Sequence, residues 1–205
     1  MTTIAMTSGT VGFTVGSRRF LNITNRCNLR CRFCQRTADC FELCGYDLRL
    51  LREPSVSEIV AAVGDARAYD EIVFNGLGEP TLRLYDVLDA IVLFRRPGVR
   101  VRLVTDGLAN LVYGRDVVPD MEGLVDSLWV SLNAQDRQTY QYQCQPPAAN
   151  AYDSMLAYCA DAREYLPQVV LTAIEGVEGV DVEACEQIAT RMGVEFRRRR
   201  LGDLL

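Results

Sequence analysis

The chain has 205 residues, 49% of them apolar and 24% charged, with a net charge of −5; that is a globular composition, and its acidity argues against a nucleic-acid-coating surface. It contains no histidine, which excludes imidazole general bases, Ser-His triads and His-ligated metals. Its eight cysteines come with no secretory leader and no apolar run long enough to span a membrane, which predicts a cytoplasmic protein whose thiolates serve iron or zinc rather than disulfides.

Along the chain, short β-rich runs alternate with stretches of helical period, and the length fits one domain over 1–205. Residues 1–18 read as an N-terminal extension in which Thr10–Val15 predicts an extra strand or hairpin. Strands are then expected at Arg19–Thr24, Glu71–Asn75, Val99–Thr105, Ser127–Leu132, Gln168–Ala173 and Val194–Arg199. Helices are expected at Ser55–Ala68, where Ser55 and Glu58 have capping-box spacing, and at Leu82–Phe94, Ala151–Tyr165 and Asp181–Met192. Six strands separated by helices predict βαβ units and a parallel sheet. Six are too few to close an eight-stranded barrel, so the expected fold is α/β, an open partial (β/α)6 barrel. Alternation puts Leu128, Val130 and Leu132 on one strand face and Ser127, Trp129, Ser131 and Asn133 on the other. Ligands of such folds collect at the carboxyl ends of strands, where Thr24, Asn75, Thr105, Asn133 and Thr172 fall.

The densest chemical signal is Cys27-Asn28-Leu29-Arg30-Cys31-Arg32-Phe33-Cys34, directly after the first of the six strands. Thiolates ligate [4Fe–4S] clusters, and three of them leave one iron open to a small molecule. Zinc is the rival, although it favours four ligands. One βαβ unit later comes Gly76-Leu77-Gly78-Glu79-Pro80, whose glycines let the backbone approach a ligand closely. Cys40, Cys44 and Cys144 are candidates for a second metal site, but Cys159 and Cys185 fall in helices and free cysteine is ordinarily buried, so the ligand set is poor. In the last strand, alternation turns Glu195, Arg197 and Arg199 inward if Val194 and Phe196 pack outward. The two arginines then either grip an anionic group or lie in solvent on an edge strand.

The C-x-x-x-C-x-Φ-C spacing, with Phe33 before the last cysteine, resembles the signature of the radical S-adenosylmethionine (radical SAM) superfamily, and Gly76–Pro80 resembles its GGEP segment. The resemblance implies a [4Fe–4S] cluster on Cys27, Cys31 and Cys34 whose open iron chelates S-adenosylmethionine, with Phe33 flanking the adenine. It implies that Gly76, Gly78, Glu79 and Pro80 hold the methionine amino group, through their backbone and the Glu79 side chain. Thr105, Ser131, Asn133 and Thr172 are expected as further cofactor contacts, Ser131 and Asn133 reaching the ribose or the carboxylate unless they only close a turn. Asn22, Thr24, Arg197 and Arg199 are the substrate-binding candidates. Further segments (Asn22–Cys27, Gly45–Leu48, Glu53–Ser55, Gly107–Leu111 and Ser131–Ala134) resemble the small TatD-linked radical SAM family, named for gene proximity to a TatD-type metal-dependent hydrolase. Asp106 stands where related proteins often carry asparagine. The implied activity is reductive cleavage of S-adenosylmethionine to a 5′-deoxyadenosyl radical, which abstracts a hydrogen from a small, anionic substrate. An electron donor such as flavodoxin or ferredoxin is implied with it. Two alternatives stay open: a glycyl-radical-type activase acting on a partner protein, and a noncatalytic iron–sulfur carrier or regulator.

Overall fold

The computed structural model describes residues 9–201, so the first eight positions of the N-terminal extension lie outside the described residues. The rest of the extension supplies the expected extra strand: β1 (Gly12–Val15) pairs antiparallel with β2 (Arg18–Leu21), Gly12 opposite Leu21 and Val15 opposite Arg18. After the cysteine loop come two short strands, β3 (Glu42–Leu43) and β4 (Tyr46–Asp47), which pair only with each other. The chain then alternates: α1 (Val56–Val63), β5 (Glu71–Phe74), α2 (Leu84–Phe94), β6 (Arg100–Thr105), α3 (Ala109–Tyr113), β7 (Ser127–Ser131), α4 (Arg137–Cys144), α5 (Ala151–Tyr165), β8 (Val169–Ile174), α6 (Val182–Met192) and β9 (Glu195–Arg199).

The seven-stranded sheet has the order β1-β2-β5-β6-β7-β8-β9, every pair after the first being parallel, and it does not close on itself. This is the open α/β architecture that six alternating strands and helices predict. Because the strands run parallel, their carboxyl ends share one edge, and the loops leaving them meet there.

Local chemistry explains the boundaries. Ser55 opens α1 with the anticipated capping box: its hydroxyl accepts from the Glu58 amide at 3.3 Å, while Glu58 accepts from the Ser55 amide at 2.8 Å. The helix stops at Gly64 rather than at Ala68; a short 3-10 turn, Ala66–Ala68, follows. α4 was not legible as a helix because its sequence, RQTYQYQC, has no apolar stripe; it starts on the Asp136 side chain, which accepts from the Thr139 amide at 2.8 Å.

Alternation along the strands divides the core in two. Ile72, Phe74, Val101, Leu103, Leu128, Val130, Leu171 and Ala173 pack with the helices into the larger cluster. The other face carries a smaller cluster of Phe13, Phe20, Val73 and Val104, with Trp129 against it. Polar residues continue this second face toward both strand ends. At the amino ends they form a connected chain: Glu71 binds Arg102 and lies 3.6 Å from Arg18, and the Arg102 guanidinium sits 4.0 Å from the Trp129 ring centre. Trp129 donates to Ser127 at 2.8 Å, Ser127 to Gln168 at 2.7 Å, and Gln168 to Glu195 at 2.7 Å. Arg197 ends this chain, 3.6 Å from Glu195 and exposed. Among the described residues no helix is long and apolar enough to cross a membrane.

Candidate functional site

At the carboxyl ends of the strands, one cavity of about 180 Å³ collects residues from six separate stretches of sequence. That volume is several times a water molecule's share of about 30 Å³. Cys27, Cys31, Phe33 and Cys34 line it from the loop after β2, Gly76, Gly78 and Glu79 from the loop after β5, and Thr105 and Asp106 from the end of β6. Ser131 and Asn133 enter from β7, Ile174 from β8 and Arg199 from β9. All three motif cysteines thus open onto one space with the glycine-rich segment, although 45 residues separate Cys34 from Glu79.

The cysteine loop is held by its backbone. Arg30 and Arg32 donate their amides to the carbonyls of Cys144 (3.0 Å) and Gln143 (2.8 Å) at the end of α4, and Arg36 donates to the Leu29 carbonyl at 2.7 Å. The Leu29 amide already points at the Cys27 sulfur, 3.4 Å away. Burial, with Asp106 and Glu79 adding to it, pushes the Cys27 thiol far above its ordinary range. Cys31 is pushed up by the Cys144 thiol hydrogen-bonded to it and then by burial. Such thiols ionise only when a positive centre is bound to them.

The glycine-rich loop is pressed against the segment that follows β2. A Cβ on Gly76 would stand 2.3 Å from Asn22 Oδ1, and one on Gly78 2.1 Å from the Thr24 carbonyl oxygen, so any side chain at either position would displace the loop. Asn22 and Thr24 lie on the far side of this contact, outside the cavity lining. Asn22 donates to the carbonyls of Leu48 (2.8 Å) and Thr10 (3.2 Å) and accepts from the Leu77 amide at 3.3 Å. Thr24 bonds Glu53 and accepts from the Arg26 amide at 3.0 Å. Both are substrate candidates that the structure places in loop support. Pro80 begins a 3-10 turn and is likewise outside the lining.

Glu79 is a hub rather than an open carboxylate. One oxygen accepts from the Thr81 amide (2.9 Å), the Thr81 hydroxyl (2.6 Å) and the Thr105 hydroxyl (2.8 Å); the other accepts from the Asp106 amide at 2.6 Å. With four donors on it, the side chain is committed internally, which leaves the loop backbone to meet a ligand. The open acid of the cavity is Asp106, which the sequence presents only as a turn residue. Its Oδ1 accepts from the Leu108 amide at 3.0 Å, while the buried Oδ2 has no hydrogen-bond partner among the described residues. Burial raises both carboxyls above the ordinary range, and for Asp106 the neighbouring Glu79 adds to the effect.

Other buried polar atoms are open around the same space. Asn133 Oδ1, Thr172 Oγ1 and Asn28 Nδ2 also find no partner among the described residues. Asn133 lines the cavity with a left-handed backbone (φ +57°), held by its amide donating to the Thr172 carbonyl at 3.1 Å. Arg199 lines it too, whereas Arg197, two residues earlier on the same face, ends in the polar chain at the other end of the sheet.

The donor set fits an iron–sulfur cluster better than a single ion. Three soft sulfurs share the cavity, yet among the described residues no three acid, cysteine or histidine side chains are gathered tightly enough to hold one metal ion, as structural zinc requires. Cys40 and Cys44 are exposed, Cys144, Cys159 and Cys185 are buried, and none of the five lines the cavity.

Residues 21–192 match the model of the Radical SAM superfamily. No curated protein matches the chain. Among solved structures, TYW1 with a lysine-pyruvate adduct bound is 17% identical with a TM-score of 0.62, covering 90% of this chain and 64% of its own. Streptococcus suis SuiB bound to S-adenosylmethionine is 11% identical with a TM-score of 0.62, covering 90% of this chain and 40% of its own. HydG, a maturase of the [FeFe]-hydrogenase, is 17% identical with a TM-score of 0.61, covering 91% of this chain and 42% of its own. The chain therefore spans less than two thirds of each of these relatives, and the likeness to them is one of fold.

Proposed function

The chain belongs to the radical SAM superfamily, and from that premise we propose that it is an enzyme acting on a small, anionic molecule at the cavity beside Cys27, Cys31 and Cys34. Family membership brings a [4Fe–4S] cluster, S-adenosylmethionine, a reductant and radical chemistry. When bound, cluster and S-adenosylmethionine supply one electron and a carbon-centred radical for hydrogen abstraction. The chain's own residues have separate tasks. Cys27, Cys31 and Cys34 would hold three irons and leave one to a ligand. The backbone of Gly76 and Gly78 and the free oxygen of Asp106 would accept hydrogen bonds from the ligand's ammonium group. Asn133 and Ser131 would position the ribose or carboxylate, with Phe33 against the adenine. Thr105 acts through Glu79, keeping the glycine-rich loop closed on the end of β6. Thr172 stands behind Asn133, whose amide it receives.

One observation carries this reading: the thiols, the glycine-rich loop, Asp106, Asn133 and Arg199 line a single cavity. Arg199 is the guanidinium there, and a guanidinium suits a carboxylate or phosphate. The same observation favours a small molecule over a partner protein, because the open groups face an enclosed space and not a flat surface. The segment resemblances place the chain in the TatD-linked branch, in the cytoplasm, with a flavodoxin or ferredoxin as reductant. The test is anaerobic reconstitution with iron and sulfide, reduction with dithionite and addition of S-adenosylmethionine. Release of 5′-deoxyadenosine and methionine is expected; a fully loaded protein that releases neither would overturn the enzymatic reading.

A further inference from the structure

Cys144 is fully buried (0% exposed), at the last position of α4, and takes no part in the cavity lining. Its surroundings are nevertheless those of the cluster loop. The Arg30 amide bonds the Cys144 carbonyl and the Arg32 amide bonds the Gln143 carbonyl, so the end of α4 is laced to the loop on both sides of Cys31. Between these two bonds the thiols of Cys31 and Cys144 face each other as hydrogen-bond partners. One helical turn earlier, Tyr140 is 1% exposed, and its hydroxyl has no partner among the described residues. The ionisable groups around that hydroxyl are Cys144, Asp106, Cys31 and Cys27. α4 thus brings two buried X–H groups to the back of the cluster loop, on the side away from the cavity.

A cysteine that ligates iron is a thiolate and can only accept hydrogen bonds. Cys144, outside the lining and without metal, keeps its proton and can donate. We propose that Cys144 is a positioning residue for the cluster's redox state: its S–H donates to the Cys31 sulfur and raises the reduction potential. The physical reason is that reduction adds negative charge to the cluster and its sulfurs, and a donor at one sulfur stabilises the reduced form more than the oxidised one. The inference rests on the reading that Cys31 is a cluster ligand.

The test is a potentiometric titration of the reconstituted protein, followed by the electron-paramagnetic-resonance signal of the reduced cluster, in the parent and in Cys144→Val, Cys144→Ala and Cys144→Ser. Valine fills the space without a donor, and serine restores one. The Val and Ala variants are expected to keep the parent's iron content and to titrate at a more negative potential, by several times the error of the titration. The Ser variant is expected to move back toward the parent. Equal potentials in all four proteins at equal iron content would overturn the proposal. Loss of iron in both Val and Ala would also overturn it, by assigning Cys144 to holding the loop. A parent that takes up no iron would instead refute the cluster reading itself, so the two failures are distinguishable.

Discussion

Two buried carboxylates, one at each end of the same strands, are treated in opposite ways. Glu71, at the start of β5, is 5% exposed and faces the Arg102 guanidinium, which is in turn stacked on Trp129. Asp106, just past the end of β6, is 4% exposed and faces a second acid, Glu79. The amino-end network runs without a gap from Arg18 to Arg197, whereas the carboxyl end leaves polar atoms of Asp106, Asn133 and Thr172 open. A buried acid is tolerable when paired and costly when it is not. One end is therefore completed by the chain itself, and the other is completed by a ligand carrying positive charge.

The largest effect expected from breaking this contrast comes at the completed end. Arg102→Ala strands Glu71 in the interior and removes the stacking on Trp129, so it should cost about 3–5 kcal/mol of stability, read as a shift in the urea unfolding midpoint. The fraction that remains folded should still take up iron, because Arg102 lies away from the thiols. A loss below about 1 kcal/mol, the level of an exposed pair, would mean that the amino-end network is not the structural half of the sheet.

At the open end the order of effects reverses. Asp106→Ala should weaken S-adenosylmethionine binding by about 1.5–3 kcal/mol, roughly ten- to a hundredfold, in equilibrium dialysis of the reconstituted protein, while iron content holds. Glu79→Ala would remove the hub and leave four donors unmatched, so its main effect should be on folding and only indirectly on the ligand. Equal affinity in Asp106→Ala and the parent would return the ammonium contact to the loop backbone alone.

The smallest effect is a slope. The folded pKa of Asp106 is raised above its unfolded value, so the folded chain holds a proton that the unfolded chain releases. Stability is then greatest at low pH and falls as pH rises from about 4, the unfolded value, through the folded pKa. The slope is at most about 1.4 kcal/mol per pH unit for each such proton. Asp106→Asn should flatten the curve of the cluster-free protein and stabilise it at neutral pH, measured by urea unfolding between about pH 5 and 8. An unchanged slope would show that Asp106 is not the repelled acid.

Much of this was readable from the chain, for identifiable reasons. The strands were legible because each alternates cleanly: Ser127, Trp129 and Ser131 do face away from Leu128 and Val130, and β6, β7 and β9 begin within one residue of expectation. The three thiols and the glycine-rich loop were legible because both follow strand ends at short spacing. Depth along a strand was not. Alternation puts Arg197 and Arg199 on one face, but two residues advance the chain by about 6.6 Å, enough to place one in the amino-end network and the other in the cavity. Hydrogen-bond saturation was equally hidden: Glu79 looks like a ligand group until its four donors are seen, and Asp106 looks like a turn residue until its second oxygen is found open. α4 escaped because polar glutamines mask the buried Tyr140 and Cys144.

The most direct test of the account is the iron and sulfide content of anaerobically reconstituted protein, compared with Cys27→Ala, Cys31→Ala and Cys34→Ala. Addition of S-adenosylmethionine to the reduced parent completes it, followed by electron paramagnetic resonance. About four irons per chain, lost in each variant, with a parent signal that changes on adding S-adenosylmethionine, is the expected result. Iron content equal in parent and variants, or a cluster signal indifferent to S-adenosylmethionine, would contradict the assignment of this end of the sheet to a cluster with one open iron.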